Sequence, residues 1–432
     1  MTDAFSYAAA LEALVRSPGR EALAALVETA LLEERAADAV RVLPALRDRI
    51  GAVLHHQAMA ALLLETEDFR LARYHLEALA PAGAPPELVT DLCVTADLRA
   101  GDAATAVSRL EALEARGGRG LPHFFRKWMI QHTLGRFDIV EHEIGVLLAQ
   151  VPADQVRSHA LLRFHLAGVA HNRRRFADAA AQLDRLLEDC LERGLAAQPE
   201  APPVRRRRTA GRMRRLLADL ESIVILHALP VAITGAGLLG LVRDGGPLPH
   251  DKDLDMAVLE PATAAGVAGL LAATGLFRLE RGPFTFGGYC TVRHQPTDML
   301  LDLVTHAADG GRRMNRWHDA DGALLRETAL PFYRPRLVAH AGTGLRLPMP
   351  DDADAHLTAL YGDWRVPDAD FTSLLSARAL TGHTPFLASL GRIKALEHLI
   401  QGRKGRGAAI LRQLLAREPH SPALRRAAAA LG

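Results

Sequence analysis

Aromatic residues make up only 5% of the 432-residue chain, and lysine occurs four times, at Lys127, Lys252, Lys394 and Lys404. Few aromatics amid abundant Ala and Leu favour helices packed through small and aliphatic contacts. The net charge is +2, so nothing in the charge balance points to nucleic acid or an acidic membrane as the principal partner. With 49% hydrophobic residues the chain falls outside the disordered class. Cys93, Cys190 and Cys290 are odd in number and far apart, which excludes a disulfide framework or a thiolate metal site at ordinary spacing. A reducing cytoplasm is the compartment they favour. The opening MTDAFSYAAALEALV lacks the basic region of a secretory signal. Residues 222–242 carry no formal charge, but Pro230, Gly235, Gly237 and Gly240 interrupt them. That pattern predicts a helix end, a short strand and a second helix, all buried, instead of a membrane span.

What is present first is a repeat. Phe69, Ala103 and Phe137 are 34 residues apart, and Phe176 follows after 39. Three positions on stand Ala72, Ala106, Val140 and Ala179; seven on, Leu76, Leu110, Ile144 and Leu183; ten on, Leu79, Leu113, Leu147 and Leu186. Ala36, Ala39, Leu43 and Leu46 form an earlier, less perfect copy. Such offsets line one helical face. The period and the small residue at the second position resemble the tetratricopeptide repeat over roughly residues 20–195. The resemblance implies stacked helical hairpins with a surface able to hold a partner protein or a polymer, or simply to support a second domain.

Composition divides the chain into a helical-repeat region (1–198), a linker (199–210), a mixed α/β region (211–370) and a C-terminal helical hairpin region (371–432). The linker is rich in Pro and Arg, with seven arginines in 205–215, and reads as a solvated joint. In the mixed region the pattern predicts a helix over 211–228, strands over 230–234, 253–259, 276–281, 287–293 and 298–305, and helices over 237–243 and 261–274. The expected fold class is therefore multi-domain, an all-α solenoid joined to an α/β domain with a small mixed sheet.

Chemistry concentrates in ITGAGLLGLVRDGGPLPHDKDLDMAV, residues 233–258. Gly235 and Gly237 lie in a strand-to-helix turn, where backbone N–H groups can approach an anion. Asp251, Asp253 and Asp255 alternate, so in an extended strand they point to one side. Like charges so placed call for a cation, and hard oxygen ligands suit Mg²⁺ or Mn²⁺. Asp302 interrupts the apolar run Met299–Val304 and would complete the cation site. His294, His306, His318 and His340 lack compact ligand spacing. Tyr361 and Trp364 read as packing residues.

Glycine turn, paired aspartates and a lone aspartate on a later strand resemble the nucleotidyltransferase fold. GAGLLGLVR, DGGPLP and HDKDLDMAV in that order, with LLDLV and LPMPDDADAHLTALYGDW after them, are similar to the LicD/fukutin family of phosphotransferases over about residues 211–366. The resemblance implies transfer of a phospho-alcohol, such as phosphocholine or ribitol phosphate, from a CDP-activated donor to a cell-surface glycan. It matches Asp253 and Asp255 to the metal-binding acids and Asp302 to a further metal ligand or base. Asp251 is matched to an acid that positions or activates the acceptor. Gly235 and Gly237 fall in the donor-phosphate turn, and Arg243 matches an arginine placed to pair with phosphate. Ala236 and Gly237 stand where the family has Gly and Thr, and His250 replaces a tryptophan. The partners so implied are donor and acceptor, without nucleic acid or a membrane span, in the cytoplasm or at the inner membrane face. Two other readings stay open: transfer of a nucleoside monophosphate from a triphosphate, and a repeat scaffold carrying a relic domain.

Overall fold

The computed structural model describes residues 6–66, 68–117, 121–152, 154–194, 209–249, 251–280, 287–368 and 370–431. The proline-rich part of the linker and His250 lie outside them. The chain combines helical hairpins with a mixed-sheet α/β region. Its compact units follow side-chain packing, not the composition change near residue 198. One unit runs to Leu134 and also takes in residues 209–212; the other runs from Gly135, resumes at Met213, and contains the sheet and the C-terminal helices.

The hairpin helices are Ala52–Glu65 with Phe69–Leu79, Pro86–Arg99 with Ala103–Ala115, Leu121–Thr133, Phe137–Gln150, and Val156–Asn172 with Phe176–Glu192. Each repeat anchor is thus the first residue of a helix. Asp68 and Asp102 cap two of these starts by accepting from Leu71 N and Thr105 N, both at 3.0 Å. Left-handed residues end the preceding helices at Gly101, Gly135 and Arg174. The predicted inner positions are buried, from Ala72, Leu76 and Leu79 to Ala179, Leu183 and Leu186. Leu147, which is half-buried, is the exception.

In the larger unit the helical stack does not stop at Glu192. Leu183, Leu186, Leu187 and Cys190 share a core with Leu396, Leu399, Ile410, Leu411 and Leu424 of helices Pro385–Ile400, Lys404–Arg417 and Pro422–Leu431. Inside that contact, His171 Nδ1 meets Ser389 Oγ at 2.8 Å. The almost fully buried Arg392 donates to Asp184 Oδ1 (2.7 Å) and to Glu418 (2.8 Å). The α/β region is therefore inserted between two parts of one helical stack.

The sheet contains β1 (Val231–Ile233), β2 (Asp253–Leu259), β3 (Phe277–Leu279), β4 (Tyr289–His294), β5 (Met299–Asp309), β6 (Arg312–His318) and β7 (Leu324–Pro331). The order is β1-β2-β5-β4-β3, with β6 pairing the end of β5 and β7 pairing β6. Only β2 and β5 run parallel. A separate hairpin, β8 (Pro335–His340) with β9 (Leu345–Pro350), precedes helix Ala353–Tyr361. One face of the sheet is apolar: Leu254, Met256, Val258, Val292, Leu301 and Leu303 pack with Leu216, Leu217 and Leu220 of helix Ala210–His227 and with Val267 and Leu271 of helix Ala264–Ala273. Among the described residues no helix is long and apolar enough to cross a membrane. The uncharged stretch 222–242 divides into a helix end, β1, helix Gly235–Leu239 and a π-helical turn, Gly240–Asp244.

If the C-terminal helices complete the stack, truncating Leu183 must cost core energy. Leu183→Ala is expected to lower stability by about 2–5 kcal/mol, and the exposed Val146→Ala by no more than about 0.5 kcal/mol. Urea unfolding followed by circular dichroism checks both; equal midpoints would contradict the shared core.

Candidate active site

The opposite sheet face is polar, and strand register puts its groups there. Asp255 pairs directly with Asp302 across the parallel β2–β5 ladder, and Asp253 is one pleat away on the same side. On β4, Thr291 pairs with Asp302. Its hydroxyl donates to Asp302 Oδ1 at 2.7 Å and lies 3.1 Å from the Tyr289 hydroxyl. β5 continues on this face through His306, which pairs with Asn315 of β6, and Trp317 pairs with Arg326 of β7. Tyr289 and Trp317 are in ring contact, centroids 5.1 Å apart. The three carboxylates thus share one surface with Thr291, Tyr289, Trp317 and Arg326.

The glycine turn meets this face edge-on. Gly235 has φ +59°, and a Cβ there would collide with the Asp255 carboxyl, so only glycine lets turn and carboxylate come together. The helix that starts at Gly235 has five residues, so close approach, more than a helix dipole, is what the turn contributes. Gly237 contributes on the other side, since a Cβ there would fall 2.5 Å from Leu254 Cδ1; its bareness lets the helix pack on the apolar face of β2. Behind the turn, Thr234 N donates to Asp255 O (3.0 Å) while its hydroxyl meets His356 Nε2 at 2.7 Å. His356 packs edge-on against Tyr333, whose hydroxyl meets His306 Nδ1 at 2.9 Å.

The remaining expected residues lie around this centre. Asp251, half-buried, precedes β2, and Lys252 is exposed. Arg243, at the end of the π-turn, donates from Nε and Nη2 to the neighbouring Asp244 at 2.9 and 3.1 Å. Tyr361 stacks on Phe371 with centroids 4.7 Å apart. Burial and the charges of Asp255 and Asp251 push its hydroxyl pKa up, against the pull of Arg243. Trp364 is buried in the core. The histidines serve local bonds: His294 meets Asp219 and Thr297, and His340 meets the Leu241 carbonyl.

Crowding shows in the proton affinities. Burial, then repulsion from Asp253, Asp302 and Asp251, pushes the Asp255 carboxyl up to about 8. Burial and Asp253 push Asp251 to about 7. Asp253 is raised by burial and Asp302; Asp302 is raised by burial against the pull of the Thr291 and Tyr289 hydroxyls. Among the described residues, no three His, Cys, Asp or Glu side chains are drawn in closely enough to hold a metal as they stand. The donor set fits a hard divalent cation all the same. It is all oxygen, Asp253, Asp255 and Asp302 occupy adjacent register positions on one face, and each has its proton affinity raised, by burial first.

No protein-family model matches the chain, and no curated protein matches it. Thr291, Tyr289, Trp317 and Arg326 escaped the sequence reading. Of these only Tyr289 and Thr291, in a strand anticipated at 287–293, carried a local signal, that of alternating residues.

A carboxyl that binds its proton more tightly in the folded than in the unfolded chain makes folding less favourable as pH rises. For Asp255 the loss accumulates between its ordinary value of 3.8 and about 8, at up to about 1.4 kcal/mol per pH unit per proton. In EDTA, Asp255→Asn is therefore expected to melt above wild type at pH 8 and to show a shallower decline of Tm from pH 5 to 8. Parallel pH profiles for the two proteins would refute the crowding.

Proposed function

We propose that the chain is a metal-dependent transferase of LicD/fukutin type. In this reading the α/β region is a nucleotidyltransferase-like domain, and the hairpins around it are tetratricopeptide-like. The observation that carries the reading is the pairing of Asp255 with Asp302, with Asp253 beside them and the Gly235 turn against the same carboxyl. Such a surface disfavours its own charge and becomes useful when it holds a cation together with phosphate.

Asp253, Asp255 and Asp302 would hold Mg²⁺ or Mn²⁺. When bound, that ion would neutralise the charge that develops on the departing phosphate. The Gly235 turn would lie along the donor phosphates, and Arg243, released from Asp244, would reach them from the rim. An acceptor hydroxyl then attacks the phosphorus nearest the alcohol of a CDP-alcohol. A new P–O bond forms as the bond to CMP breaks, and CMP leaves with the electron pair. The hydroxyl proton passes to Asp251, or to Asp302 where that carboxylate is not engaged. A glycan made at the inner membrane face is the proposed acceptor. A donor panel of labelled CDP-alcohols, CTP and ATP identifies the group transferred, since transfer from CTP or ATP would replace this reading by nucleotidyl transfer.

Asp253→Asn and Asp255→Asn are each expected to reduce turnover at least about 10³-fold at unchanged far-ultraviolet dichroism, as loss of a charge-stabilising group does. Turnover by the double variant at the wild-type rate would exclude the assignment.

A further inference from the structure

Arg326 is a buried cation that forms no direct ion pair among the described residues. Its side chain is 8% exposed. Nη2 donates to the Ser373 carbonyl at 3.2 Å, and the guanidinium lies over the Trp317 ring, 4.8 Å from its centroid. Nε has no hydrogen-bond partner, and no ion pair joins Arg326 to a carboxylate among the described residues. Buried charges are ordinarily paired, because desolvating an unpaired one is costly. Arg392, in the helical stack of the same unit, follows the rule with two carboxylates. Arg326 does not.

Its position says which anion it suits. The register that pairs Trp317 with Arg326 and His306 with Asn315 puts Arg326 on the carboxylate face. Trp317 continues to Tyr289, and Tyr289 through Thr291 to Asp302. Arg326 is also close enough to Asp255 to draw that carboxyl's proton affinity down. A planar fork, oriented by an aromatic face and lacking a bidentate partner, suits a tetrahedral oxyanion beside the acidic centre.

We propose that Arg326 is a phosphate-binding residue that grips the pyrophosphate of the donor opposite Asp253, Asp255 and Asp302. The inference rests on the reading of the site as one for a phosphate-bearing donor and names a group that grips it. Trp317 is the positioning residue, holding the guanidinium plane toward the ligand. Stacking on Trp317 orients the arginine without a carboxylate, and Nε is left without a hydrogen-bond partner in the protein.

Calorimetry on the full chain separates the parts, with Mn²⁺ alone and with pyrophosphate at saturating Mn²⁺ as probes. Arg326→Met and Arg326→Lys are expected to weaken pyrophosphate at least about tenfold, while Mn²⁺ alone binds as well as to wild type, or better, since a nearby like charge is removed or displaced. If Arg326→Met fails to fold, Arg326→Lys, which keeps the charge and loses the fork, decides. Pyrophosphate affinity within about twofold of wild type in the folded variants overturns the proposal. So does a loss that only follows weaker Mn²⁺ binding, and so does absence of pyrophosphate binding to wild type. Wild type that binds pyrophosphate through Arg326 yet transfers nothing from any donor sinks the transferase reading and leaves this one standing. Turnover with Arg326-independent pyrophosphate binding does the reverse.

Discussion

The parallel pairing of β2 with β5 is the constraint on which the rest depends. It sets Asp255 beside Asp302, and a slip of one residue would turn the carboxylates of the slipping strand into the apolar layer beneath. That layer prevents the slip: Leu254, Met256, Val258, Leu301 and Leu303 are buried on the other face, so register is held by hydrophobic burial and not by the acids. The acids oppose it. Four carboxyls with raised proton affinity are a local cost, tolerable only because the core under them is extensive.

The same face joins two kinds of group that occupy distant parts of the chain. The carboxylates come from the paired central strands, Tyr289 from β4, and Trp317 and Arg326 from the hairpin that extends the sheet. Behind the glycine turn, buried His356, Tyr333 and His306 form a neutral polar support; burial lowers His356 to about 4 and His306 to about 3, so both stay uncharged at neutral pH.

Much of this was legible in the residues. Nearly every position named by the offsets of three, seven and ten is buried, because a single face must meet its neighbour. The strand at 253–259 and the common face of its aspartates follow from a period of two. β6 to β9 were not anticipated: runs such as RRMNRWH and PRLVAH mix charge and apolar residues without clean alternation. Arg326 and Trp317 were unreadable for a related reason. Their nearness to Asp255 passes through two successive antiparallel pairings, and no local spacing encodes it. Gly237 shows a third limit, since a glycine that approaches a ligand and one that admits a leucine look identical in a string of letters.

The insertion of the α/β region into the helical stack has a kinetic side. His171 and Ser389 are 218 positions apart, and Arg392 and Asp184 are 208 apart. The seam between these helices closes only after everything between them has been synthesised and has contracted, for loop entropy opposes it until then. During translation Leu183, Leu186 and Leu187 have only the preceding helix, through Ala160 and Ala167, to pack on until their later partners are made. The helices from Pro385 onward act as a latch on this core, and a nascent polypeptide stalled before residue 385 would present an oily stripe for chaperones to shield.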